Sequence, residues 1–230
     1  SLNILCKAVL IDRDRLGPGE KGYAQLRLSE SIAVKNGDSY VVRFYSPLET
    51  IGGGKILDAC PRKHRRNDPS VIESYKIKES GTTADKILLA VKEYAAGFET
   101  VEQLGRRLNM DTGFLRQEIA INAEKLGLVK LSENIVLNES YVDSLRSRLT
   151  AILKEYHEKN PLHAGMRRDE LRSRLLPGCT QAVADMVIDL FISEKVVRAD
   201  QQRIALYGFN RKVSDSHQKL LDEIEKKYLA

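Results

Sequence analysis

The chain repeats itself. Val91-Lys92-Glu93-Tyr94 recurs as Leu153-Lys154-Glu155-Tyr156, and each copy continues in the same way. A short amphipathic helix follows, Val101 to Leu108 in one copy and Arg168 to Leu175 in the other. A longer helix comes next, Thr112 to Leu126 and Gln181 to Ser193. Two short apolar stretches close each copy, Leu128 to Leu131 with Ile135 to Leu137, and Val196 to Arg198 with Ile204 to Tyr207. Helix starts are written into the first copy. Thr82 with Asp85, and Thr100 with Gln103, have the spacing in which a side chain and an amide cap each other.

Three helices followed by a two-stranded ribbon is the order of a winged helix. A third copy begins near Ser214, where Leu221, Ile224 and Tyr228 keep the spacing of Leu149, Ile152 and Tyr156. A module that ends on its first helix cannot bury that helix's apolar face alone. The chain therefore reads as a piece of a longer protein.

The first third has a different period. Ala24, Leu26 and Leu28 alternate with Tyr23, Gln25 and Arg27, and Tyr40, Val42 and Phe44 alternate with Val41, Arg43 and Tyr45. Alternation of this kind marks half-buried strands. Turn signals at Gly17-Pro18-Gly19 and Asn36-Gly37-Asp38 separate them. About four strands are expected between Ile4 and Ala59, the last a short one around Lys55 to Asp58 after Gly52-Gly53-Gly54. Asn67-Asp68-Pro69-Ser70 reads as a turn or linker ahead of the helical region.

No catalytic constellation is present. A phosphate-binding loop needs Gly-x-x-x-x-Gly-Lys-Ser/Thr, and around Gly54-Lys55 the earlier glycine is Glu49 and the following residue Ile56. Cys60 and His64 lack the further ligands or orienting group that a metal or nucleophile site requires. His157 and His163 are equally unsupported, and pairs such as Asp12 with Asp14 or Glu223 with Glu225 read as solvated charge. Cys6, Cys60 and Cys179, odd in number and far apart, fit free thiols in a reducing compartment. The longest run free of charged side chains, Leu175 to Ala184, is half of what a membrane helix needs. Nothing at the N-terminus has the order of a secretory signal. The cytoplasm is the expected location.

Charge is informative through its distribution. The net charge is +5, with +4 in residues 1–70, −2 in 71–140 and +2 in 141–210. A helix that reads DNA presents basic and amide side chains to the major groove. Gln181 to Ser193 holds no Lys or Arg but carries Asp185 and Asp189, and Thr112 to Leu126 balances Arg116 and Lys125 with Glu118 and Glu124. Tandem DNA-reading heads are therefore disfavoured. Basic density lies elsewhere: Arg62, Lys63, Arg65 and Arg66; Arg167, Arg168, Arg172 and Arg174; Arg198 and Arg203 on the second wing; and the weaker pair Arg106 and Arg107. Such clusters are either solvated faces or contacts to an RNA phosphate backbone, and we take Arg62, Lys63, Arg65, Arg66, Arg167, Arg168, Arg172, Arg174 and Arg203 as the candidate RNA contacts.

Gly22-Tyr23-Ala24-Gln25-Leu26-Arg27-Leu28, Gly37-Asp38, Val42-Arg43, Thr50-Ile51-Gly52-Gly53-Gly54 and Leu57-Asp58 together resemble the end of the third domain of a translation GTPase. With winged helices after it, the whole chain resembles the selenocysteine-specific elongation factors. That resemblance implies an α+β architecture. A partial antiparallel β-barrel would occupy 1–66, a linker 67–80, winged helices 81–138 and 139–210, and the first helix of a third 211–230. It implies a non-catalytic stalk within a factor that carries selenocysteinyl-tRNA to the ribosome and recognises an mRNA hairpin. GTP and Mg belong to the parent factor, and no cofactor to this chain. The hairpin-reading residues would lie beyond Ala230. The competing readings are a tandem winged-helix DNA regulator and a protein-interaction scaffold; no membrane partner is expected.

Overall fold

The structure, a computed structural model, describes residues 3–210 and Tyr228. It divides into two compact units, Ser1–Leu128 and Val129–Ala230. The third copy expected from Ser214 lies outside the described residues apart from Tyr228.

The first unit opens with four strands: β1 (Cys6–Leu10), β2 (Ala24–Leu28), β3 (Ser39–Arg43) and β4 (Thr50–Lys55). The expected barrel is not there. β1 pairs antiparallel with β2, Cys6 opposite Leu28, and β3 with β4, Ser39 opposite Lys55, as two separate ribbons. A barrel closes only when every strand edge finds a partner and one face supplies an interior. Here Val41 and Ile51 stay 64% and 50% exposed, and β4 offers glycines where apolar side chains would have to fill that interior.

The expected strand at Lys55 to Asp58 lies earlier, with the three glycines inside it. Two of them, Gly53 and Gly54, allow close approach. A Cβ on Gly53 would stand 2.5 Å from the Tyr40 carbonyl oxygen, and one on Gly54 would stand 2.8 Å from the Tyr40 hydroxyl.

Residues 67–80, expected as a linker, fold as α1 (Pro69–Ser80). Asp68 caps it by accepting from the Ser70 amide at 3.0 Å, and Pro69 fills the first turn, where its missing N–H costs nothing. Val71 and Tyr75 of α1 close a small core on Ile11, flanked by Tyr23, Leu57 and Ile72.

Lys78 ties α1 to its surroundings. Its Nζ lies 2.8 Å from Asp58 and 2.9 Å from Glu93. Burial works against its charge, but the two hydrogen-bonded carboxylates outweigh burial and hold Lys78 above its ordinary value.

Then come α2 (Thr83–Tyr94), a 3-10 turn (Ala95–Gly97), α3 (Val101–Leu108) and α4 (Thr112–Asn122). Both expected capping boxes form. The Asp85 amide donates to Thr82 at 3.2 Å and the Thr82 amide to Asp85 at 3.0 Å; the Thr100–Gln103 pair gives 3.3 and 2.7 Å. α4 ends four residues sooner than expected, and turns through Gly127, at φ +58°, follow it.

β5 (Leu128–Lys130) and β6 (Val136–Asn138) pair as a two-stranded ribbon. β6 runs without an intervening residue into α5 (Glu139–Lys159), whose Val142, Leu145, Leu149, Leu153 and His157 form one buried line. β7 (Met166–Arg167), α6 (Arg168–Leu175), α7 (Gln181–Ser193), β8 (Val197–Asp200) and β9 (Arg203–Leu206) complete the second unit. Its sheet has the order β7-β9-β8. The packed side of α6 and α7, with Leu171, Leu175, Val187, Ile188 and Phe191, is fully buried. Three helices and a wing over these residues make a winged helix.

Candidate nucleic-acid interface

Loop 61–66 is held from inside and basic outside. Gln25, buried on β2, donates from Nε2 to the Arg62 carbonyl at 3.1 Å. His64 turns inward and meets the Tyr75 ring edge-on at 5.9 Å, which makes it a packing residue and separates it from any role with exposed Cys60. Tyr75 in turn lies 5.5 Å from Tyr23, whose hydroxyl donates to Glu79 at 2.6 Å; burial and that bond push Tyr23 up to about 12.

Arg66 closes the loop by donating to the carbonyls of Leu10 at 3.2 Å and Arg13 at 3.1 Å, and it pairs with Asp14 at 3.0 Å. Arg62, Lys63 and Arg65 remain exposed, and among the described residues their side chains meet no partner. The loop is thus held from within by Gln25, His64 and Arg66 while three cations face water.

The second cluster is arranged differently. Arg168 of α6 pairs with Asp185 at 2.7 Å and Asp189 at 2.6 Å, both on α7, and Arg172 pairs with Asp185 at 2.7 Å. Burial opposes the charge of Asp185, but the two guanidinium groups more than offset it and hold its carboxyl below the usual range. Arg167 pairs with Asp169 and Arg174 with Glu170, and Arg203 donates to the Gly165 carbonyl at 3.0 Å. Of the nine candidates, loop 61–66 therefore gathers three free cations, and the α6 arginines are drawn into the protein's own ion pairs. Arg107, the expected weaker site, is bound as well. It donates to Glu99 at 2.6 Å and lies 4.0 Å over the Tyr94 ring. Among the described residues no group of three His, Cys, Asp or Glu is placed to hold a metal ion, and no helix is long and apolar enough to cross a membrane.

His157 carries a role that spacing does not reveal. Its Nε2 accepts the Leu206 amide at 3.3 Å, and its ring stacks on Phe209 at 3.6 Å. The neutral ring therefore keeps its proton on Nδ1, which is buried without a partner. Burial first, and Arg198 second, push His157 below its ordinary 6.5. The unfolded chain then binds the proton more readily, so folding loses stability as pH falls below about 6.5 toward the lower folded value. We expect the melting temperature of the wild-type chain to fall more steeply between pH 7 and 5 than that of a His157→Phe variant. Parallel curves would contradict it.

With this geometry in place, comparison with known proteins adds what the chain is similar to. A family model described as the winged helix of elongation factor SelB matches residues 150–206. Over 210 residues, 90% of the chain, the sequence is 26% identical to a selenocysteine-specific elongation factor from Desulfomicrobium baculatum. The chain is similar to a SelB-type factor over most of its own length. It covers 33% of that SelB relative's length. Among solved structures, a bacterial selenocysteine-specific elongation factor, EF-Sec, matches 97% of the chain with a TM-score of 0.56 at 15% identity, and the chain covers 33% of it. The mRNA-binding domain of E. coli SelB, solved with SECIS RNA, matches 52% of the chain at a TM-score of 0.39. The family-model match falls within the winged helix of the second unit.

Proposed function

We propose that this chain is a non-catalytic stalk of a SelB-type elongation factor, a spacer that contacts RNA or ribosome through phosphates. The supporting observation is loop 61–66, ordered from within by Gln25, His64 and Arg66 while Arg62, Lys63 and Arg65 face solvent. The parent factor would carry selenocysteinyl-tRNA to the ribosome in the cytoplasm, use GTP and Mg in parts outside this chain, and recognise an mRNA hairpin. On this reading residues 81–138 form a first winged helix in tandem with 139–210, and the two ribbons of residues 1–66 are the end of a translation-factor domain.

The test is fluorescence anisotropy with an RNA hairpin, a scrambled hairpin and a DNA duplex across a salt series. The wild-type chain is expected to show a steep salt slope and little preference between the two RNAs. The variant Arg62→Ala/Lys63→Ala/Arg65→Ala is expected to flatten that slope by about 2–3, one phosphate per cation, with its melting temperature unchanged. An unaltered slope removes the loop from the interface.

One observation favours a second reading, a protein-docking surface. Phe114 and Ile121, seven residues apart on α4, are 47% and 67% exposed on one helix face. Phe114→Ser/Ile121→Ser would then leave RNA binding untouched and abolish association with a partner protein.

A further inference from the structure

In the second winged helix, α6 and α7 occupy the places of the backbone-crossing helix and the groove-entering helix of helix-turn-helix readers, and Arg167 of β7 with Arg168, Arg172 and Arg174 of α6 put four arginines within eight residues. Every one of those arginines is already answered. Arg167 meets Asp169 at 2.7 Å, Arg174 meets Glu170 at 2.6 Å, and Arg168 and Arg172 share Asp185, with Asp189 as a second partner of Arg168. Four arginines meet four carboxylates, so the surface has no net charge to offer.

The inner part of this set is only a quarter exposed: 26% for Arg168, 21% for Arg172 and 25% for Asp185. A phosphate approaching it would have to pull the arginines off Asp185 and leave a half-buried carboxylate without a counter-charge, a state that costs more than the new contact returns. Asp189, 60% exposed, stands at the rim and repels the same phosphate.

We propose that Asp185 and Asp189 are specificity determinants that keep the second winged helix off nucleic-acid backbones, by holding Arg168 and Arg172 in pairs within the protein. The inference does not rest on the loop 61–66 reading.

The experiment uses the whole chain, a DNA duplex and an RNA duplex, with anisotropy over 50–200 mM salt and a thermal melt of every variant. Asp185→Asn/Asp189→Asn frees two arginines and removes two repelling charges. Binding to both duplexes is expected to fall about tenfold more across that salt range than for the wild-type chain, the signature of about two added phosphate contacts. Asp189→Asn alone, at an exposed position, removes the rim charge and one of the two partners of Arg168 while Asp185 still holds both arginines; it is expected to steepen the slope by a measurable fraction of one contact and to fold whether or not the double variant does. Folded variants with the wild-type salt slope overturn the proposal. Loop 61–66 is unchanged in every arm, so its contribution is a constant background and the two readings fail separately.

Discussion

Replacing Phe191 by alanine is expected to lower the stability of the second unit by about 4 kcal/mol, within the range for large-to-small substitutions of buried aromatics. Phe191 is fully buried on α7, in line with Ala184, Val187 and Ile188, and Leu171, Leu175 and Met166 of the same unit are fully buried as well. A well-packed interior closes only partly over a lost ring, so the cavity term adds to the lost burial. Arg146 also loses the face it covers at 5.7 Å, though its pair with Glu194 at 2.9 Å survives. For a unit of this size the melting midpoint should drop by roughly 15–30 °C. Met186→Ala, on the solvent side of the same helix at 37% exposure, should change stability by no more than about 0.5 kcal/mol. Equal effects from the two substitutions would contradict the burial assignment of α7.

Lys78→Met is expected to cost the first unit about 3 kcal/mol. The substitution preserves most of the apolar stem and removes the charge between Asp58 and Glu93. Two carboxylates of low exposure then face each other without compensation, and breaking such a pair from one side costs more than the pair itself contributes. The discriminating measurement is a urea midpoint for Lys78→Met beside Lys78→Met/Asp58→Asn/Glu93→Gln. The triple variant should regain most of the loss, because neutral amides leave no buried charge. If it stays as unstable as the single variant, the damage lies in packing rather than charge. Because Lys78 sits above its ordinary value in the fold, its contribution holds below about pH 10.5 and fades as pH climbs through the raised folded value.

What the sequence reveals here follows from the range of the signal. α2 and α3 were legible because each capping box lies within four residues, and α5 because its buried positions recur every three or four. α1 was not, since Asp68-Pro69 looks like a turn and only Val71 and Tyr75 are buried along it. Alternation located β2 and β3 but carried no information on partners, so two ribbons were read as part of a barrel. The same limit applies to the interface. The arginines were visible as clusters, but Asp185 lies 17 and 13 residues from the two it binds and Asp189 lies 21 from Arg168, on another helix. Distance along the chain also hid His157, whose partners Leu206 and Phe209 arrive from the far side of the wing.

The direct run of β6 into α5 leaves no slack at that junction. A helix advances about 1.5 Å and turns roughly 100° with each residue. A single residue inserted early in α5 would therefore rotate everything downstream by more than a quarter circle and take its buried line off the core. Seven inserted residues would bring the phase back to within about 20° and lengthen the strut by about 10 Å. The length of this rod is thus quantised: it can be extended by steps such as seven or eleven residues that close near a whole number of turns, like a screw thread, and hardly by a residue or two.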